Sequence, residues 1–456
     1  MIEIPREVNH ETSEYRILFY RPTALGYPGL LRAGSSRDPR LDALAARGTV
    51  FDQAFTMQPV CSPARACLQT GLYATETGCF KNGLSLPRDR KTLADYFHEA
   101  GYDTAYVGKW HLASGGRDGL RCETSAIPLE ARGGYRDYWM AADVLEFTSH
   151  GYNGYLFDGD NKKVSFIGYR PDCVNAYAVD YIHRRRRGNP FFLMVSQIGP
   201  HHQNDRNRFE GPDGSKERWK DYAVPGDLEG TGGDWRENYP DYLGQCNALD
   251  SNAGRLVDAL KESGEWENTV FIYSSDHGCH FRTRNREYKR SCHDSSIRIP
   301  MIAHGPGFNG VGRVSSPVSL IDVPRTLLDC AGIQPDGWRG VSLLSLLREE
   351  TPPREDVFLQ ISESQVGRAV RTPEYTYSVR GVTDGHSLPA EDVYYEDHLY
   401  DNLADPHQRQ NLAAEPAYAG VREKLKARLL AYLREAEGAE PLIRPYSEKI
   451  CRTWSF

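Results

Sequence analysis

The run FFLMVSQ at positions 191–197 sets five large apolar side chains in succession. A strand with one solvated face alternates apolar and polar residues, so an unbroken run is what a strand covered on both faces requires. Runs at 16–20, 104–108, 270–274 and 301–304 share that texture. Helix-period segments lie between them. Leu93, Tyr96, Phe97 and Ala100 keep one face apolar before the stop at Gly101, and Val174, Tyr177, Ala178, Tyr181 and Ile182 do the same behind a cap at Asp172. Strands alternating with amphipathic helices predict an α/β fold, with a parallel sheet flanked by helices.

Beyond residue 350 the texture changes. EETPPRED at 349–356 reads as a charged, proline-bearing linker, and 357–362, 368–371 and 375–379 read as short antiparallel strands. A closing amphipathic helix is expected over 421–435. The chain therefore divides into a large unit at 15–350 and a smaller C-terminal α+β subdomain at 351–456. A length of 456 residues suits one big core with an appendage.

A net charge of −7 with 26% charged residues argues against a nucleic-acid binder. The ten cysteines have no CxxC pair and no regular spacing, which disfavours a zinc module or a disulfide framework. The opening MIEIPREVNHETSEYRILFY has no apolar signal core, and no run reaches membrane-spanning length, so a soluble, cytoplasmic protein with no membrane partner is expected. The basic run Arg184 to Arg187 reads as a solvated helix end that complements the helix dipole, without a function of its own.

Ligand sites in open α/β sheets lie beyond the carboxyl ends of the strands. There the chain places Lys109-Trp110-His111, then His201-His202-Gln203, then Asp276-His277. Each group alone is common in loops. A further stretch, PVCSPARACLQTG at 59–71, sets Cys61 before a helix with Pro63 in its first turn and Gly71 as its stop. Cys61 is there either a structural cysteine or a centre where helix-end amides favour negative charge.

Together these blocks resemble the sulfatase family, sulfuric ester hydrolases of the alkaline-phosphatase-like superfamily, from about Arg16 to Leu412. Cys61-Ser62-Pro63-Ala64-Arg65 matches the Cys-x-Pro-x-Arg signature and runs into Leu-x-Thr-Gly. GYDTAYVGKWHL, SSDHG and LYDNLADPHQRQNLA match further blocks in order. The resemblance implies that a separate formylglycine-generating enzyme oxidises Cys61 to formylglycine. One hydroxyl of its hydrate attacks sulfur, and the other later expels sulfate. It further implies that Arg65 steadies the anion, that Lys109 and Lys289 contact sulfate oxygens, and that His111 binds sulfate or orients the nucleophile. The pair His201/His202 supplies the proton for the leaving group, with His201 favoured because it follows Pro200. Asp276, His277 and Cys61 would bind a divalent cation, usually calcium.

The loop HFRTRNREYKR at 280–290 carries five Arg or Lys. It is either a solvated loop or a rim for a sulfated sugar, with Arg282 and Arg284 as substrate contacts. A phosphate or phosphonate ester hydrolase of the same superfamily would reuse the site, and a degenerate, non-catalytic binder of anionic sugars is the other alternative. The ground for the latter is a departure after the first strand: the family ends it in one or two metal-binding aspartates, whereas here Phe19-Tyr20 runs into Arg21-Pro22. Asp38 and Asp42 belong to a later helical block resembling the family's LDALAARG. The expectation is weak calcium binding and low activity.

Overall fold

The computed structural model describes residues 15–21, 39–115 and 120–451. Among the described residues, ten strands form one sheet in the order Gly312–Val314, Thr49–Phe51, Met301–His304, Thr269–Ser274, Arg16–Arg21, Phe191–Ser196, Asp103–Lys109, Tyr138–Ala142, Asn153–Asp158 and Lys163–Ile167. The central strands Thr269–Ser274 to Tyr138–Ala142 run parallel. Met301–His304 and the outer hairpin from Asn153 to Ile167 run antiparallel to their neighbours, so the sheet is mixed and mostly parallel.

The unbroken apolar runs have the cause inferred from them. Ile17, Phe19, Phe192 and Met194 point into one core, while Leu18, Tyr20, Phe191, Leu193 and Val195 point into the other. Each such side chain, fully withdrawn from water, contributes about 1.5–3 kcal/mol. The helices Arg170–Arg184 and Trp235–Glu262 cover the second face through Val174, Ala178, Leu249 and Leu256. The helices Cys61–Thr70, Leu93–Glu99 and Asp322–Cys330 cover the first.

Two local expectations are corrected. Asp172 lies inside the first turn of its helix, which begins at Arg170 after Tyr169, and its carboxylate accepts from Asn252 and pairs with Arg255. Arg185 of the basic run is not solvated: its side chain is 2% exposed and pairs with Glu265, which also holds Arg16.

Val357–Ile361, Gly367–Arg371, Tyr375–Arg380 and Val393–Asp401 form an antiparallel meander, and Leu442–Arg444 adds on in parallel. The helix Ala419–Glu437 buries Leu425, Leu429, Leu433 and Ala436, a spacing of three or four that keeps one stripe apolar. Arg371 clamps Asp294 with two hydrogen bonds of 2.8 and 2.9 Å, tying this sheet to the loops at the carboxyl ends of the large one.

Gly108 links fold and site. It has φ +107, and a Cβ there would stand 2.1 Å from the carbonyl oxygen of Ser196 on the adjacent strand. Gly108→Ala is therefore expected to cost roughly 2–3 kcal/mol. Urea unfolding of the two proteins checks this, and an unchanged midpoint would contradict it.

Candidate active site

Four segments converge at the carboxyl ends of the parallel strands. Lys109 is the last residue of Asp103–Lys109, and Trp110 is fully buried against Tyr106, Tyr135 and Trp139. The chain turns sharply after it, with His111 at φ +60, which returns that ring to the cavity. His201 and His202 follow Phe191–Ser196, and Asp276 and His277 follow Thr269–Ser274. Cys61 is the first residue of the helix Cys61–Thr70 and is 1% exposed. No side chain caps that helix at Val60; the Ser62 amide instead donates to Asn82 Oδ1 at 3.0 Å.

Around Cys61 Sγ stand Lys289 Nζ at 2.8 Å, His277 Nε2 at 3.3 Å and Lys109 Nζ at 3.9 Å. Lys289 Nζ also lies 3.1 Å from His277 Nε2 and 3.5 Å from His201 Nε2. Burial by itself would raise the Cys61 thiol. The ammonium groups of Lys109 and Lys289 and the His277 ring outweigh it and hold the thiol well below its ordinary range. Cys67, two turns into the same helix, has no such neighbours, and burial pushes its thiol well up. Burial likewise lowers His201 to about 4, although Glu146 opposes it, and lowers Lys109.

The cavity over Cys61 has a volume of about 80 Å³ and is walled by Lys109, His111, His201, His202, Lys289 and Arg290, with Glu146 and Glu287 as its acids. Ligand pockets for drug-sized molecules run to about 300–1,000 Å³. This one is sized for a single anionic head group, with the remainder of an ester lying outside it.

Other expected residues sit elsewhere. Arg65 is 2% exposed beneath the site: its guanidinium donates to the Lys109 carbonyl at 2.6 Å and Ser196 Oγ at 2.8 Å, and lies 3.5 Å from Asp276 Oδ2. It therefore braces three of the converging segments instead of facing the cavity. Arg284 donates to the carbonyls of His407 and Gln408 at 2.6 and 2.7 Å, a structural tie to the C-terminal subdomain, and does not line the cavity. Arg282 stacks behind Tyr288 at 4.6 Å and donates to Asn207. Besides Lys289, Arg290 of that loop lines the cavity, at φ +70, paired with Glu287 at 2.6 Å and with Glu363.

Of the two histidines, His201 is the one whose Nε2 approaches Lys289, while His202 stacks on Tyr288 at 4.3 Å and pairs through Nδ1 with Asn204. Gln203 accepts from buried Arg170 at 3.0 Å and donates to the Glu146 carbonyl at 3.0 Å, so it anchors the loop.

Cys61, Asp276 and His277 offer ligand atoms within 4.8 Å of one another. Among the described residues this set has one carboxylate, whereas calcium takes about 6–8 oxygen ligands. Pro22 to Asp38 lie outside the described residues, and their sequence holds no acid before Asp38. Asp42 lies close enough to Asp250 for their charges to repel, and Asp250 accepts from the Leu41 amide, so Asp42 belongs to another part of the fold. The donor set visible here does not fit a tightly held calcium ion.

Five similarities accompany this geometry. A family model described as "Sulfatase" matches residues 25–333, and one described as "N-sulphoglucosamine sulphohydrolase, C-terminal" matches 286–435. An ulvan-active sulfatase from Formosa agariphila is 33% identical over 444 residues, covering 91% of this chain and 79% of its own. Two solved structures share the fold. One, in complex with its substrate D-glucosamine-2-N,6-O-disulfate, has a TM-score of 0.73 at 21% identity, covering 94% of this chain and 99% of its own. The other, a phosphonate monoester hydrolase from Silicibacter pomeroyi, has a TM-score of 0.67 at 20% identity, covering 92% and 96%. No helix among the described residues is long and apolar enough to cross a membrane.

Proposed function

The chain belongs to the sulfatase family and is a sulfuric ester hydrolase; on that premise we propose that its reaction centre is Cys61, converted to formylglycine by a separate formylglycine-generating enzyme, and that its substrate is a sulfated sugar. The observation that carries this is the setting of Cys61 Sγ at the mouth of a helix, 2.8 Å and 3.9 Å from two buried ammonium groups. A site that stabilises negative charge on the side chain of residue 61 is the site an oxyanion needs. The sugar reading draws on the relatives, an ulvan-active sulfatase and a protein that binds a glucosamine disulfate.

Formylglycine, once formed, supplies a hydrated aldehyde whose oxygen is the nucleophile toward sulfur. The chain's own residues do the rest. Lys109 and Lys289 receive the sulfate oxygens and oppose the charge that grows on them. His111 faces the reacting side chain from the cavity wall, and His201 Nε2 gives a proton to the alcohol oxygen as the S–O bond breaks. Arg65 keeps Asp276 and the Lys109 carbonyl in place. Arg290, braced by Glu287 and Glu363, replaces Arg282 and Arg284 as the basic contact for the sugar. Assays with matched sulfate, phosphate and phosphonate esters test the reaction class: faster cleavage of a phosphorus ester would favour the second reading.

Among the described residues, Asp276, His277 and the oxygen derived from Cys61 are the ones that would meet a cation, and they are too few for calcium. Calorimetry is expected to give a calcium Kd of about 10⁻³ M or weaker, as for the loosest natural calcium sites. Reinserting a Thr-Asp loop after Phe19 should tighten it. Tight binding by the unaltered chain would show that another residue completes the shell.

A further inference from the structure

Glu146 is a buried carboxylate that the chemistry above does not use. It belongs to the short helix Leu145–Thr148, beyond the strand Tyr138–Ala142, is 8% exposed, and lines the cavity. Its Oε2 lies 3.3 Å from His201 Nδ1, and its Oε1 accepts from Asn204 Nδ2 at 2.8 Å. Its own carbonyl accepts from Gln203 Nε2 at 3.0 Å. Three positions of the loop, 201, 203 and 204, thus meet this one residue.

The ring of His201 has a defined hydrogen pattern. Nδ1 lies 2.6 Å from the His202 carbonyl, which can only accept, so Nδ1 carries a hydrogen. With the Nδ1 hydrogen given to that carbonyl, and Glu146 Oε2 3.3 Å from the same nitrogen without a hydrogen bond of its own, Nε2 is left facing Lys289 and the Cys61 side chain. We infer that Glu146 is a positioning residue: its carboxylate, beside Nδ1, holds the tilt of His201 and favours the doubly protonated ring, so that an Nε2–H is presented to the leaving-group oxygen. The inference rests on the reading of His201 as proton donor. A carboxylate behind an imidazole acts in this way wherever the far nitrogen must deliver a proton at a set angle. The doubly protonated ring gives its Nε2 proton to the alcohol oxygen as that oxygen takes the electron pair of the S–O bond, which leaves a neutral imidazole with its hydrogen on Nδ1, and Glu146 gains and loses nothing.

A poor leaving group depends on that proton and a good one does not, so the test is the slope of rate against leaving group. The full chain, converted at Cys61, is assayed on 4-nitrophenyl sulfate and on unsubstituted phenyl sulfate. Glu146→Gln should lose about tenfold more kcat/KM on phenyl sulfate than on the nitrophenyl ester, and His201→Ala should show the same bias more strongly. Both rates come from one preparation, so a loss of folded protein cancels in their ratio. A biased His201→Ala with an unbiased Glu146→Gln would overturn the role of Glu146 and leave His201 as the acid. An unbiased His201→Ala would remove the acid assignment and this inference with it. Should Glu146→Gln fail to fold, Asn204→Ala, which frees Oε1, carries the test: a smaller bias in the same direction supports the inference, and a flat ratio overturns it.

Discussion

Cys61→Ala is expected to abolish sulfate ester hydrolysis while leaving the protein folded. The side chain at 61 is the group on which the whole site converges. It sits at the first position of a helix, where two lysines and His277 surround it within 3.9 Å. Alanine is a good helix former, and the cap of this helix does not use the Cys61 side chain, since the Ser62 amide is held by Asn82. The fold therefore tolerates the change and the chemistry does not. Cys67→Ala is the control. That thiol lies in the apolar core, where burial keeps it protonated, and its removal should leave turnover near the parent value. Sulfate release by Cys61→Ala above the uncatalysed rate would move the reaction elsewhere.

The second large effect belongs to Lys289. Its ammonium touches the Cys61 side chain, His277 and the reach of His201, a position no other cation in the cavity shares. Removing one preorganised contact to developing charge costs about 2.7–4 kcal/mol, so Lys289→Ala should fall in kcat by roughly a hundredfold to a thousandfold. Lys109→Ala should fall by at least about a hundredfold, since its ammonium is as deeply buried and stands farther from Sγ. The loss should appear in kcat more than in KM, because charge on the sulfate oxygens grows toward the transition state. A rise in KM with kcat unchanged would mean that these lysines only collect the anion.

The sheet was legible because double burial leaves a plain mark: five apolar runs became strands whose ends agree within one residue of the expectation. The outer hairpin Asn153–Asp158 and Lys163–Ile167 escaped notice for the opposite reason. It is half-solvated at the sheet edge, with Ile167 95% exposed, so neither an unbroken run nor a clean alternation marks it. Lys109, His111, His201, Asp276 and His277 could be singled out because they follow strand ends, whereas Lys289 and the role of Cys61 came from the resemblance to the sulfatase family alone. The direction of a side chain is another matter. Arg65, Arg282 and Arg284 have the residue type for anion binding, and their partners turn them away. Arg290, one residue past Lys289, lines the cavity, and a coil loop has no periodicity from which to choose among them. Glu146 lies in a four-residue helix with no motif, and its partner is 55 positions away, so no local signal could have found it.

The central claim is that residue 61, once oxidised, performs the hydrolysis. The direct measurement is the rate of sulfate release from an aryl sulfate, taken across preparations in which peptide mass spectrometry gives the fraction of chains carrying formylglycine at position 61. The account predicts a straight line through the origin. Full activity in a preparation whose residue 61 is entirely cysteine would contradict it.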